Sequence, residues 1–463
     1  MPEQQQSLTL QQAIDLGVQH HNAGRLPEAE SIYKQILQSD PDQPVALHLL
    51  GVIAHQVGKN DTAVDLIARA LALKPDFPEA HNNLGNALKN LEKLDEAVAS
   101  YHKALAIKPD YADAHNNLGV ALQGLGKSED AIASYHKALA IKPDYAKVHS
   151  NLIFCLNSKA DCTISDLFAE ARRFGAMVAT KEIPVADHAN NPDPDRRLRV
   201  GLVSGDFRYH SISQFLDNVL SEIDVEKLEI FAYATSTKKD AMTAHLKRNV
   251  PHWRDVAGMD DRALTAKIVE DGIDILVDLS GHTAHNRLQM FARKPAPVQV
   301  TWLGFGGTTG IDAIDFILCD KWVIPPENEK YFSEKPWRLP DTWLCYSPPE
   351  IEEEVTKPPA LNNSYVTFGC FNNLSKLSDA VVPCWSDILH GVPDSRLYLK
   401  TKHLGEAPVR DRILSEFASY GIPAERLLLH GRADIGDHYM GGACHDFCFL
   451  FLFHRACGSS PES

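Results

Sequence analysis

An acidic residue and a histidine stand four positions apart in the segment VSGDFRYH (203–210). Asp206 and His210 follow a strand-like run and precede an apolar-periodic stretch, 211–223, that predicts a helix. Loops at the carboxyl ends of buried strands are where open α/β sheets bind ligands. An imidazole can take up a hydroxyl proton near neutral pH. The segment therefore predicts one wall of a ligand cleft.

Two glycine-bearing loops follow further predicted strands. The first, GHTAHNR (281–287), contains His282, and the second, GFGGTTG (304–310), contains Gly306 and Thr308. The glycines do not form a dinucleotide fingerprint, because a third glycine is missing at the required offset and no acidic residue is suitably placed on a following strand. Ligand binding and a tight structural turn both remain open for these loops.

A lysine occupies a third loop of interest, FNNLSKLS (371–378). Lys376 precedes a predicted helix at 379–389, where it can join the helix dipole in holding phosphate oxygens. The alternative is a solvated surface charge. The sequence therefore offers Lys376 as a candidate phosphate ligand.

The elements that carry these loops alternate between apolar runs and helical patterns, which predicts mostly parallel sheet wrapped by helices. The runs are LRVGLVS (198–204), LEIFAY (228–233), IDILVDL (273–279), VQVTWL (298–303) and DFILCD (315–320), and after a proline-rich stretch SYVTFGCF (364–371). Two α/β units with a cleft between them fit a nucleotide-sugar transferase, a dehydrogenase or a kinase. The pattern alone does not separate these classes.

The N-terminal third repeats with a period of 34 residues. Glycine, alanine, proline and a large apolar residue recur in register: Gly17, Gly51, Gly85 and Gly119; Ala29, Ala63, Ala97 and Ala131; Pro41, Pro75, Pro109 and Pro143; Tyr33, Ile67, Tyr101 and Tyr135. This is the period of tetratricopeptide helix pairs, which bury their apolar faces by stacking on one another. We expect about four repeats over 7–142 and the beginning of a fifth at 143–158, which would serve as a cap.

Paired asparagines recur on the first helix of two repeats. Asn82 and Asn83 stand in HNNLGNAL, and Asn116 and Asn117 stand in HNNLGVAL. One hypothesis is an asparagine ladder that grips the backbone of an extended peptide. The other is solvated or intra-repeat hydrogen bonding, and the sequence leaves the two equally open.

Composition and charge exclude several classes of partner. The 463 residues carry a net charge of −15 and no Lys/Arg-rich run, which argues against nucleic acid or an anionic membrane. The N-terminus lacks the pattern of a secretory signal, and no stretch approaches a membrane span. Nine scattered cysteines suit reduced thiols. We expect a cytoplasmic protein.

Taken together, the repeats and the motifs VSGDFRYHSISQFL, ILVDLSGHTAHNR, KPAPVQVTWLGFGGTTG and GCFNNLSKLS resemble the protein O-linked N-acetylglucosamine transferase family, bacterial type. This family comprises inverting GT-B transferases and includes the plant Spindly-type fucosyltransferases. The resemblance covers nearly the whole chain. It implies metal-independent transfer from UDP-N-acetylglucosamine (UDP-GlcNAc) to Ser or Thr of proteins, without a cofactor. It also implies that the repeats select the acceptor polypeptide, and a homodimer is a further expectation.

The resemblance also assigns roles to single residues. His210 matches the family's active-site histidine near the acceptor, where either it or the donor phosphate takes the proton. Lys376 matches the lysine that binds the donor diphosphate. The remaining donor-contacting positions are Asn373, Ala433 and His438, and the acceptor side takes in Asp206, His282, Gly306 and Thr308.

The implied fold is a tetratricopeptide α-solenoid followed by a GT-B transferase with two Rossmann-like units, the second incomplete. The expected domains are the repeat array (1–160), a connecting helix and linker (161–197), the first α/β unit (198–346), a link (347–362) and a partial nucleotide-sugar-binding unit (363–463) with an aberrant tail from about 449.

The match to the family stops after about Cys448. The Asn-Gly-Thr-Thr-type loop that supplies contacts to the diphosphate is not found in the tail, FLFHRACGSSPES. We therefore expect a truncated donor half, from a frameshift, a premature stop or a gene-model error, or a natural short paralogue. The alternatives to an N-acetylglucosamine transferase are a transferase that uses GDP-fucose or UDP-glucose and a non-catalytic tetratricopeptide scaffold.

Overall fold

A computed structural model describes residues 8–159, 161–193, 195–347, 360–372, 374, 377, 381–431 and 447–449. Contacts divide the chain into two units, of which the first ends at Pro143 and the second contains nearly all of the remainder. Within the described residues, no helix is both long and apolar enough to cross a membrane.

The first unit consists of four helix pairs, as the 34-residue period predicts. Their bounds are α1 (Leu10–Asn22), α2 (Leu26–Ser39), α3 (Pro44–Gln56), α4 (Asn60–Leu73), α5 (Pro78–Asn90), α6 (Leu94–Ile107), α7 (Ala112–Gly124) and α8 (Ser128–Ile141). The large residue on each second helix is fully buried. A Cβ on Gly85 would lie 2.5 Å from Cε1 of Tyr101, so the glycine is what lets the two helices approach.

Two further helices open the second unit: α9 (Ala146–Asn157) and α10 (Ile164–Ala179), which pack on each other. A capping box starts α10, because Asp166 N donates to Thr163 Oγ1 and Thr163 N donates to Asp166 Oδ2, both at 3.1 Å. These two bonds fix where α10 begins. The predicted linker carries no regular secondary structure over its described residues.

A seven-stranded, all-parallel sheet forms the centre of the second unit. Its strands are β1 (Leu198–Ser204), β2 (Leu228–Ala234), β3 (His252–Asp255), β4 (Ile275–Asp278), β5 (Val298–Thr301), β6 (Phe316–Cys319) and β7 (Lys335–Arg338); its helices are α11 (Ser211–Glu222), α12 (Ala241–Asn249), α13 (Asp261–Glu270) and α14 (Leu288–Ala292). All five strands predicted for this region are confirmed, and β3 and β7 are additional.

The order of the strands fixes where a ligand can bind. It is β3-β2-β1-β4-β5-β6-β7, so the chain builds outward from β1 in one direction and from β4 in the other. β1 and β4 are neighbours in register, with Val203 opposite Asp278. The connections after these two strands lead to opposite edges of the sheet, and the region at the carboxyl ends of β1 and β4 is the crevice where such sheets bind ligands.

A smaller parallel sheet follows, with the order β10-β9-β8-β11. Its strands are β8 (Thr367–Cys370), β9 (Arg396–Lys400), β10 (Leu427–His430) and β11 (Phe447–Phe449), and the nearby helices are α15 (Ala360–Asn363), α16 (Val381–Gly391) and α17 (Ala407–Ser419). A second parallel α/β unit is therefore confirmed. The tail after 449 lies outside the described residues.

Candidate active site

The carboxylate of Asp206 lies just beyond the end of β1, at the crevice, and the residue is 6% exposed. Its Oδ1 accepts a hydrogen bond from Arg208 Nη2 at 2.9 Å, and its Oδ2 is 3.8 Å from His210 Nδ1. Its backbone N–H donates to Ser204 Oγ at 3.0 Å, and its carbonyl oxygen accepts from Ser213 Oγ at 2.7 Å. The bond from Arg208 compensates the burial of the charge, and the two backbone bonds hold the residue in position.

His210 is the N-cap of α11. Its Nδ1 accepts a hydrogen bond from the Ile212 N–H at 3.3 Å, so the neutral ring carries its hydrogen on Nε2. Burial lowers the pKa of His210 from its ordinary value, and the Asp206 charge opposes that shift. The imidazole is therefore mostly neutral at pH 7, and 40% of the side chain is exposed.

The N-terminus of α12 holds this loop in place. Tyr209 N donates to Asp240 Oδ2 at 2.8 Å, and Thr243 Oγ1 donates to the Phe207 carbonyl oxygen at 2.7 Å. The segment between Asp206 and His210 is thus bound at both ends and in the middle, which preorganises the acid and the imidazole.

His282 is packed inside the second unit, with 2% of its surface exposed. Its Nε2 lies 3.0 Å from the Thr309 carbonyl oxygen and its Nδ1 lies 3.1 Å from Ser150 Oγ. The ring centroids of Phe174 and Phe305 are 5.0 and 5.5 Å from its own. Burial lowers the pKa of His282 to about 3. Its predicted contact with an acceptor stays a prediction, and the geometry supports an indirect role.

The glycine loop after β5 is anchored by a buried carboxylate. Glu334, 2% exposed, accepts hydrogen bonds from Thr308 Oγ1 at 2.7 Å and from Thr309 N at 2.8 Å, and also from the Thr309 hydroxyl. Thr308 is therefore buried in the wall of the site, whereas Gly306 is exposed with open space beside it. Of the two predicted residues of this loop, Gly306 is the accessible one.

Sequence reasoning missed two residues that shape these loops, Glu334 and Asp278. Asp278 is fully buried at the end of β4 and accepts hydrogen bonds from Ser280 N, Gly281 N and Thr301 Oγ1 at 2.9 to 3.0 Å. Burial raises the pKa of Asp278 to about 6. The sequence Asp-Leu-Ser-Gly (278–281) at a strand end is a local turn signal that could have identified it. No local signal marks Glu334.

The paired asparagines of the repeats bond from one repeat to the next. Asn117 Nδ2 donates to Asn82 Oδ1 at 3.0 Å, and Asn83 Nδ2 lies 2.9 Å from Nε2 of His48, one repeat earlier. Asn82 and Asn116 are 4% and 1% exposed, whereas Asn83 and Asn117 are half-buried. The second asparagine of each pair is thus the one within reach of a peptide.

The predicted donor-side residues Asn373, Lys376, Ala433 and His438 lie outside the described residues. The described part of the chain contains no group of three His, Cys, Asp or Glu side chains placed to hold a metal ion. The described part of the candidate site therefore consists of the loops after β1, β4 and β5.

Family models agree with this architecture. A model described as Glycosyl transferase family 41 matches residues 145–348, and tetratricopeptide models match 21–88, 85–126 and 112–145. Fold and site together define a class of glycosyltransferases in which helical repeats precede the α/β units.

A solved structure identifies the family. The chain is similar to a mutant of the O-GlcNAc transferase of Thermobaculum terrenum, with a TM-score of 0.79 and 34% identity; the match covers 86% of this chain and 76% of that one. This chain belongs to glycosyl transferase family 41.

Curated relatives include plant proteins named as peptide N-acetylglucosaminyltransferases. The chain is 41% identical over 242 residues to the Petunia hybrida protein named probable UDP-N-acetylglucosamine–peptide N-acetylglucosaminyltransferase SPINDLY, covering 51% of this chain and 26% of the relative. The Arabidopsis thaliana protein with the same description and the name SEC is 34% identical over 213 residues, covering 44% and 22%. The chain spans about a quarter of the length of these relatives.

Proposed function

We propose that this protein is a protein O-linked N-acetylglucosamine transferase that moves N-acetylglucosamine from UDP-GlcNAc to Ser or Thr hydroxyls, with inversion and without a metal or other cofactor. The observation that carries the proposal is the Asp206–His210 pair at the crevice between β1 and β4, in a chain that belongs to glycosyl transferase family 41. The names of its relatives support UDP-GlcNAc as the donor.

In this reaction the acceptor oxygen forms a bond to the anomeric carbon while the bond to the UDP oxygen breaks. His210 presents Nε2–H, which suits holding the hydroxyl oxygen in line for attack. The charge of Asp206, whose Oδ2 lies 3.8 Å from His210 Nδ1, favours the protonated ring. The hydroxyl proton goes either to the donor phosphate or to the other tautomer of His210, which would give up its bond to Ile212 N.

The donor half of the proposal depends on Lys376. A lysine beside the diphosphate would neutralise the charge that develops on the leaving UDP. The repeats would bind the acceptor polypeptide through the half-buried Asn83 and Asn117. A cytoplasmic location and a homodimer are further parts of the proposal.

Calorimetric titration with UDP and GDP tests the donor assignment. We expect UDP to bind the wild-type chain and to bind Lys376→Ala about 10- to 100-fold more weakly, because a charge-assisted hydrogen bond is lost. Lys227→Ala is the control, since that side chain is 81% exposed. Preference for GDP would move the assignment to a fucosyl donor. If neither nucleotide binds, the result would favour the alternative of a non-catalytic scaffold.

A further inference from the structure

His285, in the loop after β4, has a backbone conformation that favours glycine. Its φ is +61°, in the left-handed region. The Thr235 hydroxyl donates to the His285 carbonyl oxygen at 2.8 Å and holds the residue in this conformation. Backbone strain in a non-glycine residue is found preferentially at functional sites.

The side chain of His285 lies against the loop that carries the proposed active-site acid. A Cβ placed on Gly205 would be 2.6 Å from His285 Cβ and 3.3 Å from the Ala284 carbonyl oxygen. Gly205 directly precedes Asp206, so the missing side chain is what lets the loops after β1 and β4 approach. This contact places His285 beside the loop that carries Asp206, on the β4 side, with part of the residue exposed.

The two imidazoles of the crevice have a common electrostatic environment. The charged groups that face His285 are Asp206, Arg208, Lys238 and Lys147. Burial is the main cause that lowers the pKa of His285; the three cations add to it and Asp206 opposes it. His210 is affected in the same direction by burial and Arg208, again opposed by Asp206. Near pH 7 both rings are mainly neutral and suited to an uncharged hydroxyl.

We infer that His285 is a second acceptor-binding residue of the proposed transfer site, holding the acceptor hydroxyl from the β4 side while His210 holds it from the β1 side. This inference rests on the proposed function. A hydroxyl group both donates and accepts hydrogen bonds. The Nε2–H of His210 supplies the donor, and the unprotonated nitrogen of His285 supplies the acceptor. Asp206 is close to both residues: its Oδ2 lies 3.8 Å from His210 Nδ1, and the Gly205 position that precedes it contacts His285.

Two substitutions of His285 separate binding from structure. His285→Gly relieves the left-handed backbone and removes the ring, and His285→Asn removes the ring with a residue that tolerates this conformation. We expect both to raise KM for a serine-containing acceptor peptide about three- to tenfold, with kcat and donor hydrolysis without peptide changed less than about twofold. The melting temperature should not fall in His285→Gly. A lower melting temperature together with equal losses of peptide transfer and of donor hydrolysis would overturn the inference.

A measurement by NMR spectroscopy tests the same inference without depending on turnover. The Cε1–H resonances of His285 and His210 are assigned by their absence in His285→Asn and His210→Asn, with His136→Asn, on the first unit, as the control. Addition of the serine peptide should shift both resonances, whereas the matching alanine peptide should shift them less, and Asp206→Asn should lower the pH midpoints of both rings. An unmoved His285 resonance would overturn the inference. Failure of the wild-type chain to transfer sugar would instead count against the proposed function.

Discussion

The imidazole of His282 donates from Nε2 to the carbonyl oxygen of Thr309 across 3.0 Å, and so joins the loop after β4 to the loop after β5. The other nitrogen of the ring reaches Ser150 on α9, 132 residues earlier in the chain. Thr309 is held from its other side by Glu334, which accepts from its N–H at 2.8 Å. The wall of the crevice is thus fixed by contacts between distant segments.

The buried ring of His282 should make stability depend on pH. At about pH 7 we expect His282→Asn to lower the free energy of unfolding by about 2–4 kcal/mol, from lost packing and hydrogen bonds. The pKa of His282 is lowered from 6.5 to about 3. Between these values the unfolded chain binds a proton that the folded chain does not, so the wild type loses stability as pH falls, by up to about 1.4 kcal/mol per pH unit.

His282→Asn does not lose stability in this way. The difference in free energy of unfolding between the wild type and the variant should therefore shrink as the pH falls toward about 5. Urea unfolding followed by tryptophan fluorescence measures it, because all six tryptophans lie after residue 250 and report on the second unit. His136→Asn serves as the control. A difference that stays constant between about pH 7 and about pH 5 would contradict burial of a neutral ring.

The close contact between α10 and the glycine loop predicts a sharp contrast between two glycines. A Cβ on Gly310 would overlap the Ala171 carbonyl oxygen, and φ there is +75°. Gly306 has open space around it and no such backbone requirement. We expect Gly310→Ala to destabilise the second unit by more than about 3 kcal/mol, and Gly306→Ala to change stability by less than about 1 kcal/mol. Equal melting temperatures for the two variants would refute the described packing.

His210 is the N-cap of α11 and the proposed active-site group, and two substitutions separate these roles. Asn is a good N-cap and should preserve the bond to Ile212 N, whereas Ala should not. We expect His210→Asn to keep its melting temperature and to lose transfer activity about 100-fold or more if the ring moves a proton, and about 10-fold if it only holds the hydroxyl. His210→Ala should lose a further ~1 kcal/mol of stability. Full activity in His210→Asn would remove the imidazole from the mechanism.

The asparagines of the repeats should divide by their effect on a bound peptide. Asn82→Ala and Asn116→Ala should lower stability by about 1–3 kcal/mol each with little effect on peptide affinity, because each is buried and shares a hydrogen bond with Asn117. Asn83→Ala and Asn117→Ala should weaken peptide binding and also lower stability, because they remove hydrogen bonds of the buried His48 and Asn82. Thermal melting by circular dichroism and peptide binding by fluorescence anisotropy measure the two effects. Unchanged peptide affinity in the second pair would favour a purely structural ladder.

Much of the fold is predictable because it depends on local periodicity. The repeats bury the same positions every 34 residues, and the five predicted strands of the large sheet all form. The two strands that were missed are its edges: β3 (His252–Asp255) pairs with β2 alone, and β7 (Lys335–Arg338) pairs with β6 alone. Edge strands tolerate polar residues and proline, such as Pro336, so they lack the apolar run that marks a central strand.

The site is predictable only where one loop contains the chemistry. Asp206 and His210 are neighbours in sequence, and their pairing follows from the strand before them and the helix after them. His282 was predicted to lie on the acceptor side, yet its burial depends on Ser150 and Phe174, which no local pattern connects to it. The contacts of Glu334 likewise reach back 25 and 26 residues. Such contacts arise from tertiary packing and produce no periodic pattern in the sequence.

Sugar transfer to a peptide is the most direct test of the proposed transferase activity. The purified chain is incubated with a serine-containing peptide and, in parallel, with UDP-GlcNAc, UDP-glucose or GDP-fucose, and the peptide is analysed by mass spectrometry; Lys376→Ala and His210→Asn are run beside it. We expect the wild type to add one N-acetylhexosamine from UDP-GlcNAc and both variants to add much less. No addition from UDP-GlcNAc, or addition that both variants perform as well as the wild type, would contradict it.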